Sequence, residues 1–160
     1  MVFKYHNKDY VPLPNEDAVR AALRSANPRP GEYIIPHCSD MQAMKTPEMQ
    51  KKFAEGPVGR LTLRATGPMA IGPSLVQWFL FSLVIGVVVA ALASVSLSAG
   101  ASVRHIFIVV GVTTWLAYSG GHITSAIWFA RPWSITTKEI FDGLIYGLAT
   151  AAAFVWLWPR

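Results

Sequence analysis

Charge is what the second half of this chain lacks. Of 14 Lys and Arg and nine Asp and Glu in 160 residues, only four bases and two acids follow Pro73. So uneven a distribution excludes a uniformly solvated globule and splits the chain into a polar arm and an apolar remainder. Cysteine is nearly absent: Cys38 stands alone, which excludes an intramolecular disulfide and any C-x-x-C redox or zinc motif. The sequence has no G-x-x-x-x-G-K-[ST], G-x-S-x-G or H-E-x-x-H pattern, so the signatures of nucleotide hydrolysis, serine hydrolysis and zinc proteolysis are missing. Large apolar residues are sparse before position 70, too few for a self-sufficient core. Met1 to Tyr10 is polar and aromatic, unlike the basic and then apolar opening of a cleaved secretory signal.

Three apolar runs are present, over about 73–97, 105–129 and 140–158. A hydrocarbon core about 30 Å thick needs about 20 apolar residues in helical form, so each run is long enough to cross. The expected architecture is an all-α membrane protein. Residues 1–70 form an extended, partly helical soluble or interfacial arm, and 71–160 form a three-helix transmembrane domain. Lys51, Lys52, Arg60 and Arg64 precede the first span and Arg131 and Lys138 separate the second from the third, against Arg104 and Arg160 on the other flanks. Basic residues near spans stay on the cytoplasmic side, so the N-terminus is expected inside and the C-terminus outside a bacterial cytoplasmic membrane. The formal charge of +5 then suits anionic headgroups, and no nucleic-acid partner is expected.

Within the arm, Asn15 is placed to cap a helix over Glu16–Ala26 that stops at Asn27-Pro28-Arg29-Pro30-Gly31. Tyr33-Ile34-Ile35 reads as extended, and Thr46-Pro47 opens a helix to Glu55 closed by Gly56-Pro57. Residues Arg60 to Arg64 alternate in the two-residue period of a strand. In the membrane part Trp78, Trp128, Trp133, Trp156 and Trp158 mark span ends, where indole rings favour the interface. Thr136 and Glu139 form a capping-box pattern expected to start the third span.

Small residues recur every fourth position. Ser82, Gly86 and Ala90 line the first span and Gly143, Gly147 and Ala151 the third, the pattern that lets helices approach closely in lipid. The second span carries a polar stripe, Gly111, Thr114, Tyr118, Gly121, His122 and Ser125, which must face protein or water. Thr114, Tyr118, His122 and Ser125 are thus candidates for a bundle interior or a polar path. His37, Cys38, Met41 and Met44 are the one cluster of soft ligands and, if helical, would place His37, Met41 and Met44 on one face suited to a soft ion such as Cu(I). Haem fits poorly: His105 and His122 lie about 25 Å apart along one helix, and the other spans contain no histidine. Asp142 reads as the one acid in a span, near Lys138 and Arg131. No catalytic set emerges and no cofactor is expected, haem or copper being the remote alternatives. The expected role is a structural or accessory component of a homo-oligomer or larger membrane complex, with an oligomeric channel or transporter lined by the second span as the alternative.

Overall fold

The computed structural model describes residues 4–159; Met1 to Phe3, and the outer-flank charge Arg160, lie outside that range. The chain divides into a helical unit, residues 4–6 with 69–159, and an arm, residues 7–68.

In the arm, α1 covers Glu16–Ala26 and α2 covers Pro47–Glu55. Between them β1, Gly31–Ile35, pairs antiparallel with β2, Gly59–Leu63, which follows α2, in the register Gly31 with Leu63, Tyr33 with Leu61 and Ile35 with Gly59. This small sheet departs from an all-α fold. Helix α2 starts as its sequence predicts: the Thr46 hydroxyl accepts from the Met49 amide at 3.4 Å and Pro47 takes the first turn. Asn15 does not cap α1 through its side chain; it sits in the left-handed region at φ 57° and its backbone carbonyl accepts from Ala18 and Val19. Neither arm helix contains a buried residue, in keeping with the shortage of large apolar side chains.

The helical unit contains α3 (Gly72–Ser96), α4 (Val103–Phe129) and α5 (Trp133–Leu157), each long and apolar enough to cross a membrane. The third helix begins at Trp133 rather than near 140. Pro132 stands just before it and supplies the carbonyl that accepts from the Ile135 and Thr136 amides. Thr136 therefore does not cap: buried inside the first turn, its hydroxyl donates to the Pro132 carbonyl at 3.2 Å. As a result Lys138, Glu139 and Asp142 all lie within the helix, and Asp142 is not the one acid of the spans.

The helices run in alternating directions. Ala130, at φ 53°, turns α4 into α5. At the opposite end Gly100, at φ 73°, turns between α3 and α4, and its amide donates to the Pro159 carbonyl at 2.9 Å while the Trp158 indole donates to Ser98 at 3.0 Å. That end holds the apolar core: Val89 and Ala93 of α3, Ile106 and Val110 of α4, and Ala151 of α5, with Ile85, Phe107, Phe154 and Val155 packed around them. The α4 backbone widens into a π turn over Phe107–Gly111. There it meets α5 most closely, since a Cβ on Gly147 would stand 2.7 Å from the Gly111 carbonyl oxygen.

Candidate functional site: a charged cluster within the helical unit

The polar groups collect at the end of the bundle opposite the apolar core. Asp142 lies nine residues beyond Trp133, about 13 Å along the helix, where an unpaired carboxylate in lipid would be costly. It is paired twice. The Tyr5 hydroxyl donates to one carboxylate oxygen, and His6 Nε2 is 2.7 Å from the other. Lys138, one turn back on α5, donates to the Tyr5 carbonyl at 3.1 Å. His6 is only 4% exposed and the Asp142 side chain 15%, so residues 5 and 6 shield the acid from solvent.

The second group gathers round Glu139. The Arg131 guanidinium donates to Oε1 at 2.5 Å, and His122 Nδ1 lies 3.0 Å from Oε2. The His122 contact has ion-pair distance without hydrogen-bond alignment, so the buried Oε2 has no hydrogen bond. Glu139 thus ties the turn before α5 to the side of α4. The expected capping role would have turned its carboxylate toward the helix start instead.

Between these groups and the apolar core, Tyr118 packs in an aromatic cluster: its ring lies 5.2 Å from Tyr146, 5.8 Å from Trp78 and 5.7 Å, edge-on, from Phe81. Trp78 therefore lays one side of its ring on the tyrosines of α4 and α5 while remaining half exposed near a span end. The Ile140 carbonyl accepts from the Trp115 indole at 3.1 Å and the Ser119 hydroxyl at 3.5 Å. Of the predicted polar stripe, Thr114 is fully buried with no hydrogen bond for its hydroxyl, and Ser125 donates to the Gly121 carbonyl of its own helix at 2.9 Å. The structure brings together Tyr118 with Tyr146 and His122 with Glu139; it does not join Thr114 and Ser125 to either.

No family model, curated protein or solved structure matches this chain. The chemistry of the site therefore has to be read from its geometry. Two imidazole–carboxylate pairs, supported by Arg131, Lys138 and Tyr5, can hold α5 to residues 5 and 6 and to the side of α4. Among the described residues no three His, Cys, Asp or Glu side chains gather as a metal cage.

The two small-residue strips differ. On α5, Gly143, Gly147 and Ala151 are buried: a Cβ on Gly143 would fall 2.2 Å from the Ser119 hydroxyl oxygen, and Ala151 meets Gly111. On α3, a Cβ on Gly86 would meet nothing within 4 Å, Ser82 is half-buried and Ala90 is exposed. Of the soft-ligand residues only Met44 stands in a helix, the single 3-10 turn Ala43–Lys45, while His37, Cys38 and Met41 precede it in irregular chain and a turn, so His37, Met41 and Met44 share no helical face. The Asp40 carboxylate accepts from the Gln42 and Ala43 amides at 2.8 and 2.7 Å, as a side chain at a helix start does, so the helical turn begins only after Asp40 and leaves His37 outside it. Cys38 donates to the Asp40 carbonyl at 3.1 Å.

Sequence reasoning overlooked Tyr5, His6 and the true role of Glu139. Glu139 was within reach, because His122 and Glu139 are almost equidistant from the turn at Ala130 and must face one another in an antiparallel pair. His6 gives no such signal, being 136 positions from Asp142.

Proposed function

We propose that this chain is a small multi-pass subunit of a membrane assembly, a homo-oligomer or a larger complex, that contributes structure and has no catalysis of its own. The observation that carries this reading is the contrast between the strips. The α5 strip is consumed within the chain by α4, whereas Ser82, Gly86 and Ala90 leave α3 open to a further helix, and α3 buries only Val89 and Ala93. In lipid, close approach at small residues is a main source of helix association. The distribution of Lys and Arg supports a bacterial cytoplasmic membrane with the N-terminus inside and the C-terminus outside. The charged cluster then acts as a clamp at the inner end.

The test is cross-linking of Ala90→Cys in a Cys38→Ser background, in native membranes and in mild detergent. A disulfide-linked dimer, or a defined larger complex in which Ala90→Cys is protected, is the expected result. A monomer with no co-eluting chain and no difference from Val88→Cys on the opposite face would overturn it.

A second reading, a channel or transporter lined by α4, is favoured by the two imidazole–carboxylate pairs within the helical unit. Against it, α5 carries only Thr150 as a polar side chain between Tyr146 and Trp156, so polar lining from one chain stops half-way. That reading requires flux in liposomes that falls in His122→Ala or Tyr118→Phe; wild-type-like flux in both variants removes it.

A further inference from the structure

The arm contains a cationic cleft that neither the bundle nor the assembly reading uses. It is about 390 Å³ in volume and lined by Asn27, Pro28, Arg29, Pro30, Arg64, Ala65 and Thr66. The sheet register explains why these residues meet. Gly31 pairs with Leu63 at one end of the ladder, so the residues before β1 and after β2 leave that end side by side. The backbone there is held on several sides. Asn27 closes α1 in the left-handed region at φ 46°, its amide bonded to the Leu23 and Arg24 carbonyls. Pro28 and Pro30 fix their own φ, and the Tyr33 hydroxyl donates to the Arg29 carbonyl at 2.6 Å.

The lining is one-sided in its chemistry. The residues that line it carry two guanidinium groups, a carboxamide and a hydroxyl, and no carboxylate. Four other bases of the arm have acidic partners: Arg60 pairs with Glu32, Lys52 with Glu48, Lys51 with Glu55 and Arg20 with Asp17. Among the described residues the Arg29 and Arg64 side chains have none. Two planar forks at one cleft are the donor set that recognises phosphate oxygens in bidentate fashion, and the volume falls in the range of small-ligand sites.

We infer that the Arg29–Arg64 cleft binds the phosphate of an anionic phospholipid headgroup. A lipid is favoured over a soluble phosphate by the tether. Arg64 precedes Gly72, the first residue of α3, by eight positions, a reach of at most about 28 Å. A bilayer crossed by α3 therefore presents headgroups to the cleft at high effective concentration. Met69 and Ile71, on that tether, are exposed apolar side chains of the kind that settle at a lipid surface.

The experiment uses the full chain in a non-ionic detergent, with native mass spectrometry and NMR of the arginine Nε–H groups. Dihexanoyl phosphatidylglycerol, dihexanoyl phosphatidylcholine and inorganic phosphate are the titrants. Saturable binding of the phosphatidylglycerol is expected, with shifts at Arg29 and Arg64 and affinity at least about tenfold above the other two probes. Arg29→Gln with Arg64→Gln should abolish it, and Arg64→Lys, which keeps charge but loses the fork, should weaken it several-fold. Lys51→Gln with Lys52→Gln removes the same charge from α2 and should leave it unchanged. Equal loss in the α2 variant would mean diffuse attraction, equal affinity for inorganic phosphate would mean a soluble ligand, and unchanged binding in the arginine variants would mean another site; each overturns the inference. Should the double variant misfold, Arg64→Lys and the wild-type NMR shifts still decide.

Discussion

A single methyl group separates the two kinds of glycine in the helical unit. At Gly147 the added carbon would strike the Gly111 carbonyl at 2.7 Å and Trp115 at 3.3 Å, and backbone cannot step aside as a side chain can. At Gly143 the obstacle at 2.2 Å is the Ser119 hydroxyl, which can rotate at the loss of its bond to Ile140. At Gly86 there is open space. Gly147→Ala should therefore cost about 1–3 kcal/mol, as overpacking does, Gly143→Ala less, and Gly86→Ala nothing within the chain, where alanine is the better helix former. Unfolding of detergent-solubilised variants by sodium dodecyl sulfate would check this order. Gly86→Ala should separate assembly from folding: under the assembly reading it lowers the dimer fraction while leaving the stability of the separated chain intact. Equal stability for Gly147→Ala and Gly86→Ala would show that the α4–α5 crossing is looser than described.

At the scale of elements, the clamp and the arm turn respond to different changes. Glu139 serves both Arg131 and His122, so Glu139→Gln weakens two contacts, whereas His122→Gln leaves the Arg131 bond in place. Arg131 remains partly exposed, which moderates the cost of losing its partner. Glu139→Gln should destabilise by about 1–2 kcal/mol and His122→Gln by less, and the double variant should show coupling of about 0.5–1 kcal/mol. Additive effects would mean that the 3.0 Å approach carries no energy.

The turn after Cys38 is sensitive to acid instead. The Ala43 amide, opposed by desolvation and assisted by the Gln42 amide and the Ser39 hydroxyl, holds the Asp40 carboxyl below its ordinary value of 3.8. A carboxyl lowered in the folded state stabilises above its unfolded value and loses that contribution as pH falls through the folded one. The Gln42 and Ala43 amide resonances should thus move only below about pH 4, and in Asp40→Asn they should not titrate. Movement near neutrality would assign them to another group.

Which elements could be read from the sequence follows from the range of the interaction that makes them. Thr46-Pro47 and the closing Gly56-Pro57 act within one turn and were legible, as were the long apolar runs. Asn15 failed because its left-handed backbone turns the side chain away from the first amides. The start of α5 was misplaced because a capping-box pattern at Thr136 and Glu139 resembles a helix start, while the tertiary pull of Arg131 and His122 on Glu139 leaves no local trace. Pairing of β1 with β2 and docking of His6 on Asp142 depend on partners far along the chain, where periodicity says nothing. The small-residue strips were visible, but only packing distinguishes the filled α5 seam from the open α3 strip.

For the whole molecule, the bundle and the charge distribution constrain one another. Arg131 and Lys138 belong to the same end as residues 5 and 6, since Lys138 bonds to Tyr5 and Arg131 joins the neighbouring Glu139 cluster. The loop between α3 and α4 and the residues after α5 share the other end, tied by the Gly100–Pro159 and Ser98–Trp158 bonds. Orientation is therefore a single choice for all three helices. Positioning Lys51, Lys52, Arg60, Arg64, Arg131 and Lys138 inside satisfies the preference of basic flanks for the cytoplasm, and it puts the arm on the side of the membrane where anionic headgroups attract cations. Alkaline phosphatase fused after Ala101 or after Trp158 should be active, since it folds only outside the cytoplasm, and green fluorescent protein at the same sites should be dark. Phosphatase inserted after Arg131 should be inactive. The reverse pattern would place the clamp and the cleft on the outer face, and the charge argument for the N-terminus inside would fall with it.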